Sequence, residues 1–299
     1  MQLLDIDQGW HPMFNLPKLN GTLCPKENNY VVYFSCDYKY FDRHGYALQQ
    51  SINRTLSWVH VHCHIIDEGN IDHDVLKFLS NNFKFTYTWE TVTQDFYNNL
   101  PKNNKKMKEG FDIFKTSDVD YVARRTYLAS ARFMRLNELF KNSNQYILQI
   151  DCDSILKNGF HLRDFENLTR YVGVMPKPKD QGIFIASALT PGTNQEGIEF
   201  RNLFSNNLIK GFEQGCYWFI DQDVLKDTMA EWTRLGKTYS KIPYKWNAWG
   251  QKKDDIFSTG KGNKKEDRRF KSAQLRWLPD HWRTKIEREI RNLENVSGR

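Results

Sequence analysis

Asp151 and Asp153 stand one residue apart in the stretch Y-I-L-Q-I-D-C-D-S-I-L, residues 146–156. The mostly apolar run 146–150 reads as a buried strand. Burying a carboxylate without a partner is costly, so the two aspartates belong where that strand leaves the sheet. In open α/β sheets the carboxyl ends of the strands are where ligands bind. Two hard oxygen donors there suit Mg²⁺ or Mn²⁺, which keep open positions for phosphate oxygens.

Three further groups have the residue types for chemistry. His60, His62 and His64 alternate along one strand and share a face. They read either as a zinc set or, more commonly for such a pattern, as hydrogen-bonded structural histidines beneath a helix. Asp221-Gln222-Asp223 opens a helix, where acids suit the dipole. Residues 257–265, F-S-T-G-K-G-N-K-K, form a glycine-lysine loop. The Walker pattern G-x-x-x-x-G-K-[ST] is absent.

Most of these groups fall at element ends. Strands are expected over 30–35, 58–66 and 83–89, with helices over 41–56 and 72–79 between them. This β-α-β-α-β order is the sign of a parallel, doubly wound sheet. Residues 98–110 read as a basic polar loop: a solvated segment, or a lid over a phosphate or acceptor. A long helix is expected over 118–140, capped by Ser117. Val122, Thr126, Ala129, Phe133, Leu136 and Phe140 form its buried face, and Arg125 and Arg132 share a different stripe. Strands follow over 171–175 and 181–189, split by a Pro-Lys-Pro-Lys turn. A helix is expected over 193–209, and a strand or extended segment over 215–220. The last thirty residues read as a basic amphipathic helix carrying Trp277, Trp282, Ile286 and Ile290. It either packs on the domain or touches an anionic membrane.

The chain has 299 residues, enough for a full core, and no linker separates two domains. The expected organisation is an N-terminal surface arm over 1–29, one α/β domain over 30–265 and a C-terminal helical segment over 266–299. A formal net charge of +7 favours acidic partners without choosing among nucleotides, nucleic acids and anionic membranes. Five scattered cysteines include no C-x-x-C pair, and Cys152 between two aspartates is a poor place for a structural disulfide. They read as reduced thiols in a cytosolic setting. The N-terminus carries no signal-peptide pattern, and no apolar stretch approaches the length of a membrane span.

Four pieces in order carry a resemblance: S-C-D-Y at residues 35–38, S-A-R-F at 130–133, I-D-C-D-S-I-L at 150–156 and D-Q-D-V-L at 221–225. A D-x-D pair alone is weak. A D-x-D pair after a strand, about seventy residues before D-Q-D-x-L, is much stronger. The set resembles the GT-A glycosyltransferases, specifically the glycogenin-like and lipopolysaccharide-galactosyltransferase group, over roughly residues 30–265. It implies a single Rossmann-like α/β domain with a mostly parallel central sheet flanked by helices. It also implies a nucleotide-sugar donor, a UDP-sugar favoured, and a glycan, lipid-linked or small acceptor, with no nucleic acid partner.

By that resemblance Asp151, Cys152 and Asp153 contact the donor, and the two acids bind Mn²⁺ or Mg²⁺ through its diphosphate. Arg132 holds the first carboxylate or the sugar, with Arg125 as substitute. Ser35, Asp37 and Tyr38 touch the base and ribose. Asp221, Gln222 and Asp223 face the anomeric carbon and the acceptor, whether the enzyme retains or inverts. Gly260, Lys261, Gly262 and Lys264 close on the diphosphate, since glycines let N–H groups approach phosphate and lysine supplies charge. The family usually places a histidine in this loop as third metal ligand. Here the region reads Asp254-Asp255-Ile256-Phe257-Ser258, leaving Asp255 or water for that role. Two other readings stay open: a sugar-phosphate nucleotidyltransferase, although the place for its glycine-rich signature holds C-D-Y-K-Y, and a non-catalytic glycan- or RNA-binding protein.

Overall fold

The computed structural model describes residues 14–177, 183–249, 252–260 and 265–297. Its strands are β1 Leu19–Gly21, β2 Tyr30–Asp37, β3 His60–Asp67, β4 Phe85–Thr91, β5 Tyr146–Ile150, β6 Ser154–Leu156, β7 Val172–Pro176, β8 Phe184–Pro191, β9 Ser240–Lys241 and β10 Phe257–Thr259. Eight of them form one sheet in the order β1-β4-β3-β2-β5-β8-β7-β9. The pairs β4/β3, β3/β2, β2/β5 and β7/β9 are parallel, whereas β1/β4, β5/β8 and β7/β8 are antiparallel. The expected mostly parallel α/β architecture is therefore the observed one. The remaining two strands, β6 and β10, pair antiparallel beside it.

Alternation along β2 shows how the sheet builds two cores. Val31 and Tyr33 pack on the face covered by helices Val119–Met134, Asn194–Gly215 and Ile220–Arg234. Val32, Phe34 and Cys36 face the other layer, which includes Leu48 and Ile52 of helix Tyr46–Thr55. With both faces covered, all eight residues of β3 are buried.

His60, His62 and His64 lie inside that strand. His60 and His62 meet the Thr86 hydroxyl at 2.8 and 2.9 Å, and His64 meets Thr88 at 3.1 Å. His64 also faces the buried Glu90 carboxylate at 3.6 Å. Each ring thus bonds a threonine within the sheet, while His60 Nδ1 and His64 Nε2 make no hydrogen bond among the described residues.

Several element boundaries differ from expectation. The long helix runs Val119–Met134, is interrupted at Arg135 and continues over Leu136–Leu139. Asp118, not Ser117, caps it: its carboxylate accepts from the Asp120 and Tyr121 amides at 2.9 and 3.0 Å. Residues 215–220 are not a strand. Gly215 (φ +119°) and Phe219 (φ +73°) reverse the chain, and the helix begins at Ile220. The basic loop gives way at Met107 to helix Met107–Phe114.

The C-terminal segment is two helices, Arg268–Leu275 and Asp280–Ser297, broken at Pro279. Phe270 and, in the connection, Leu278 are buried with Ile286 and Ile290 of the second helix against Ala47 and Ile155, so that face turns onto the domain. The Trp282 indole N–H donates to Asp42 at 2.5 Å. Among the described residues no helix is long and apolar enough to cross a membrane.

Candidate active site

The parallel strands end on one side of the sheet, and a cleft of about 480 Å³ opens there. Its walls are the end of β2 (Ser35, Cys36, Asp37) with Tyr40, and one stripe of helix Val119–Met134 (Arg125, Ala129, Arg132). The turn Asp151-Cys152-Asp153, the β8 residues Ile185 to Ser187, Trp218, Phe219, Asp221 and Gln222, Lys265, and Ile113 and Phe114 of helix Met107–Phe114 complete it.

The D-x-D turn sits where β5 leaves the main sheet for β6. Backbone bonds clamp it at both ends: the Asp151 amide donates to the Ser187 carbonyl at 3.0 Å, and the Gly260 amide to the Asp153 carbonyl at 2.8 Å. Asn247 braces it from below. Its amide donates to the Ser187 carbonyl at 2.8 Å, and its oxygen accepts from Ser154 at 3.2 Å and from the Thr259 hydroxyl.

Both carboxylates meet a cation. The Arg132 guanidinium donates to Asp151 and, through its other terminal nitrogen, to the Ala186 carbonyl at 2.8 Å. Burial disfavours the Arg132 charge, but Asp151 and Asp221 outweigh it and raise the arginine's pKa. Asp153 accepts from the Tyr40 hydroxyl at 2.8 Å and lies 2.8 Å from the Lys265 ammonium. Burial would push the Asp153 pKa up, but the Lys265 charge and the bonds from Lys265 and Tyr40 hold it below the usual carboxylate range.

This donor set does not fit a divalent ion. An ammonium and a phenol share one oxygen of Asp153, a guanidinium takes an oxygen of Asp151, and the expected histidine is missing from the loop. Asp255, the expected substitute, is buried and accepts from the Lys252 amide at 2.6 Å, outside the cleft lining. Among the described residues no group of three His, Cys, Asp or Glu is arranged to hold a metal.

Opposite the D-x-D turn, the helix Ile220–Arg234 presents its N-terminus. Asp221 and Gln222 line the cleft, and Asp221 accepts from the Gln222 amide at 2.9 Å. Asp223 turns away: it accepts from the Tyr217 hydroxyl at 2.7 Å and lies 3.7 Å from Lys106. Asp37 lines the cleft while capping the next turn through the Tyr40 amide at 2.9 Å. Tyr38 stacks on Phe41 at 6.1 Å and is not part of the lining; Tyr40 is. Cys152 reaches back to Cys36, sulfur to sulfur 3.2 Å, and all five cysteines are free buried thiols. Gly260 supports the turn from behind, and Lys261, Gly262 and Lys264 lie outside the described residues.

The lining residues that sequence reasoning passed over include Tyr40, Trp218, Phe219 and Lys265. Only Tyr40 carried a local signal, one helical step beyond Asp37. Around the cleft, Ser35 Oγ, Ser130 Oγ and Trp218 Nε1 are buried without a hydrogen-bond partner among the described residues. Buried polar groups are ordinarily satisfied, and Arg125 Nε and Arg132 Nε of the same lining are likewise without a hydrogen-bond partner among the described residues.

No family model matches the sequence, and no curated protein matches it. Among solved structures, the chain is similar to WbbM, a bifunctional glycosyltransferase, at 14% identity and TM-score 0.55, over 90% of this chain and 53% of that one. It spans about half the length of that protein. The galactosyltransferase LgtC, in complex with donor and acceptor sugar analogues, matches at 14% identity and TM-score 0.49 over 85% of this chain and 99% of that one. The glycosyltransferase GlyE of Streptococcus pneumoniae TIGR4 matches at 13% identity and TM-score 0.48 over 87% and 63%. The chain has the fold of the GT-A glycosyltransferases.

Proposed function

We propose that the chain transfers a hexosyl group from a nucleoside diphosphate sugar to a hydroxyl of a glycan, lipid-linked or small acceptor. One observation carries the reading: the end of β2, the D-x-D turn and the N-terminus of helix Ile220–Arg234 line a single cleft. The glycosyltransferase likeness of the fold supports it.

In this reading Ser35 and Asp37 take the ribose and base, through the Ser35 hydroxyl and the Asp37 carboxylate oxygen that does not cap the turn. Arg132 and Lys265 offer positive charge to the diphosphate. The bond from the anomeric carbon to the β-phosphate oxygen breaks, the acceptor oxygen bonds to that carbon, and the nucleoside diphosphate leaves with the electron pair. The acceptor proton passes to a carboxylate or to the departing phosphate. Positive charge grows at the anomeric centre, and the oxygens of Asp221 and Gln222 stabilise it.

Incubation with UDP-, GDP- and dTDP-sugars in the absence of acceptor tests the reading. Slow hydrolysis of one donor supports it, and product stereochemistry then separates retention from inversion. Release of pyrophosphate from a nucleoside triphosphate and a sugar 1-phosphate favours the nucleotidyltransferase. No donor turnover, with tight binding of oligosaccharide or RNA, favours the binding protein.

A further inference from the structure

The cleft contains a cation of its own. The Lys265 ammonium lies 2.8 Å from Asp153 Oδ2, donates to the Tyr40 hydroxyl oxygen and sits 4.8 Å from the centre of the Tyr40 ring. An ammonium has three N–H donors. Among the described residues Asp153 and Tyr40 take two, and the side chain, 27% exposed, lines the cleft. A Cβ at Gly260 would fall 2.6 Å from the Phe270 ring and 3.0 Å from Lys265 Cγ. Glycine at 260 therefore leaves room for both the buried ring and the lysine stem.

Charge pairing points the same way. Asp151 and Asp153 carry two negative charges and are met by Arg132 and Lys265, with Asp221 a further negative charge acting on Arg132. Hard divalent ions depend on anionic oxygen ligands to offset their dehydration. Here one oxygen of each acid is already met by a fixed cation.

We propose that Lys265 is the resident cation of the D-x-D turn, holding the donor diphosphate and its growing charge in place of a divalent ion, so that donor binding does not require one. This rests on the nucleotide-sugar reading above. Lysine binds phosphate as a point charge, and the forked Arg132 guanidinium supplies a second charge beside it. Asp153 keeps the ammonium protonated and aimed, and Tyr40 fixes its position.

Calorimetric titration of the full chain with UDP, GDP and dTDP, in EDTA and again with Mn²⁺, tests the inference. One diphosphate is expected to bind wild type with similar Kd in both conditions. Lys265→Gln is expected to weaken that binding in EDTA by roughly tenfold to a hundredfold, the value of a charge-assisted bond. Mn²⁺ is expected to recover part of it by taking the vacated Asp153 oxygen. Lys265→Arg keeps the charge and should retain most of the affinity, and it serves where Lys265→Gln does not fold. Wild-type binding that vanishes in EDTA and returns with Mn²⁺ overturns the inference while leaving the nucleotide-sugar reading intact. So does unchanged binding by folded Lys265→Gln. No binding of any diphosphate in either condition overturns the nucleotide-sugar reading, and the role of Lys265 with it.

Discussion

Arg132 joins Asp151 to Ala186: one terminal nitrogen donates to the carboxylate and the other to the β8 carbonyl at 2.8 Å. The first acid of the turn is thereby tied to a helix and to a neighbouring strand at once. The Arg132 and Asp151 side chains are only 11% and 19% exposed, so the pair is poorly screened. Arg132→Lys keeps the charge but cannot reach both acceptors with one planar fork. It is expected to lower donor hydrolysis by roughly tenfold to a hundredfold at nearly unchanged stability. Arg132→Ala is expected to lose about 3 kcal/mol as well, because it leaves a buried acid and carbonyl behind. Urea unfolding alongside the hydrolysis assay separates the two effects. Full activity in Arg132→Lys would remove the orienting role.

Asp221 and Gln222 stand at the helix N-terminus that faces the D-x-D turn. If their oxygens serve the charge that develops at the anomeric carbon, their loss belongs to kcat and not to donor binding. Asp221→Asn and Gln222→Ala are each expected to lower kcat by on the order of a hundredfold to a thousandfold with donor KM little changed. Asp223→Asn is expected to do much less, since that carboxylate points to Tyr217 and Lys106. Initial rates over a range of donor concentrations decide; a rise in KM with constant kcat would make these residues part of the donor pocket.

The parts of this site that could be read from the sequence are the parts with local causes. An apolar run followed by two acids has one economical arrangement, and β5 with its terminal turn adopts it. The arginine stripe followed from helical spacing, and Arg125 and Arg132 both reach the cleft. Residues 215–220 misled because C-Y-W-F-I is rich in strand-forming types. The reversal there depends on two positive φ values and on the pairing of Cys216 with Lys102, which is 114 residues earlier in the chain. Lys265 was hidden for a similar reason. Its meaning lies in a contact with Asp153, 112 residues away, and nothing in its neighbours distinguishes it from the other lysines of that stretch.

Acid should destabilise the fold before it protonates Asp153. Burial pushes the His60 pKa down to about 4 and that of His44 to about 3, and holds His62 well below its ordinary value of 6.5. Below pH 6.5 the unfolded chain takes up protons that the folded chain refuses, so stability falls as pH falls. For His60 alone the loss at pH 5 is about 2 kcal/mol. Glu90 and Asp153 are held below their ordinary values, so their contribution is lost only at lower pH. Urea midpoints between pH 7.5 and 5 should therefore drop, and the drop should be smaller in His60→Gln. A flat profile would mean that the histidines are not buried neutral.

Phe219 adopts φ +73° immediately before the helix that carries Asp221, and a non-glycine side chain is strained there. Such strain persists where the surroundings enforce it, often beside a reacting centre. The ring lies 5.5 Å from that of Trp218, and both residues line the cleft. Phe219→Asn, which tolerates this conformation, relieves the strain and gives up part of the ring's burial. The net stability change should stay within about 1 kcal/mol. If the ring borders the acceptor, transfer to an acceptor should fall while donor hydrolysis holds, because Asp221 and Gln222 keep their backbone start. Measuring both rates on one preparation gives the answer: equal loss of hydrolysis and transfer would mean that Phe219 sets the position of the helix and not the fit of the acceptor.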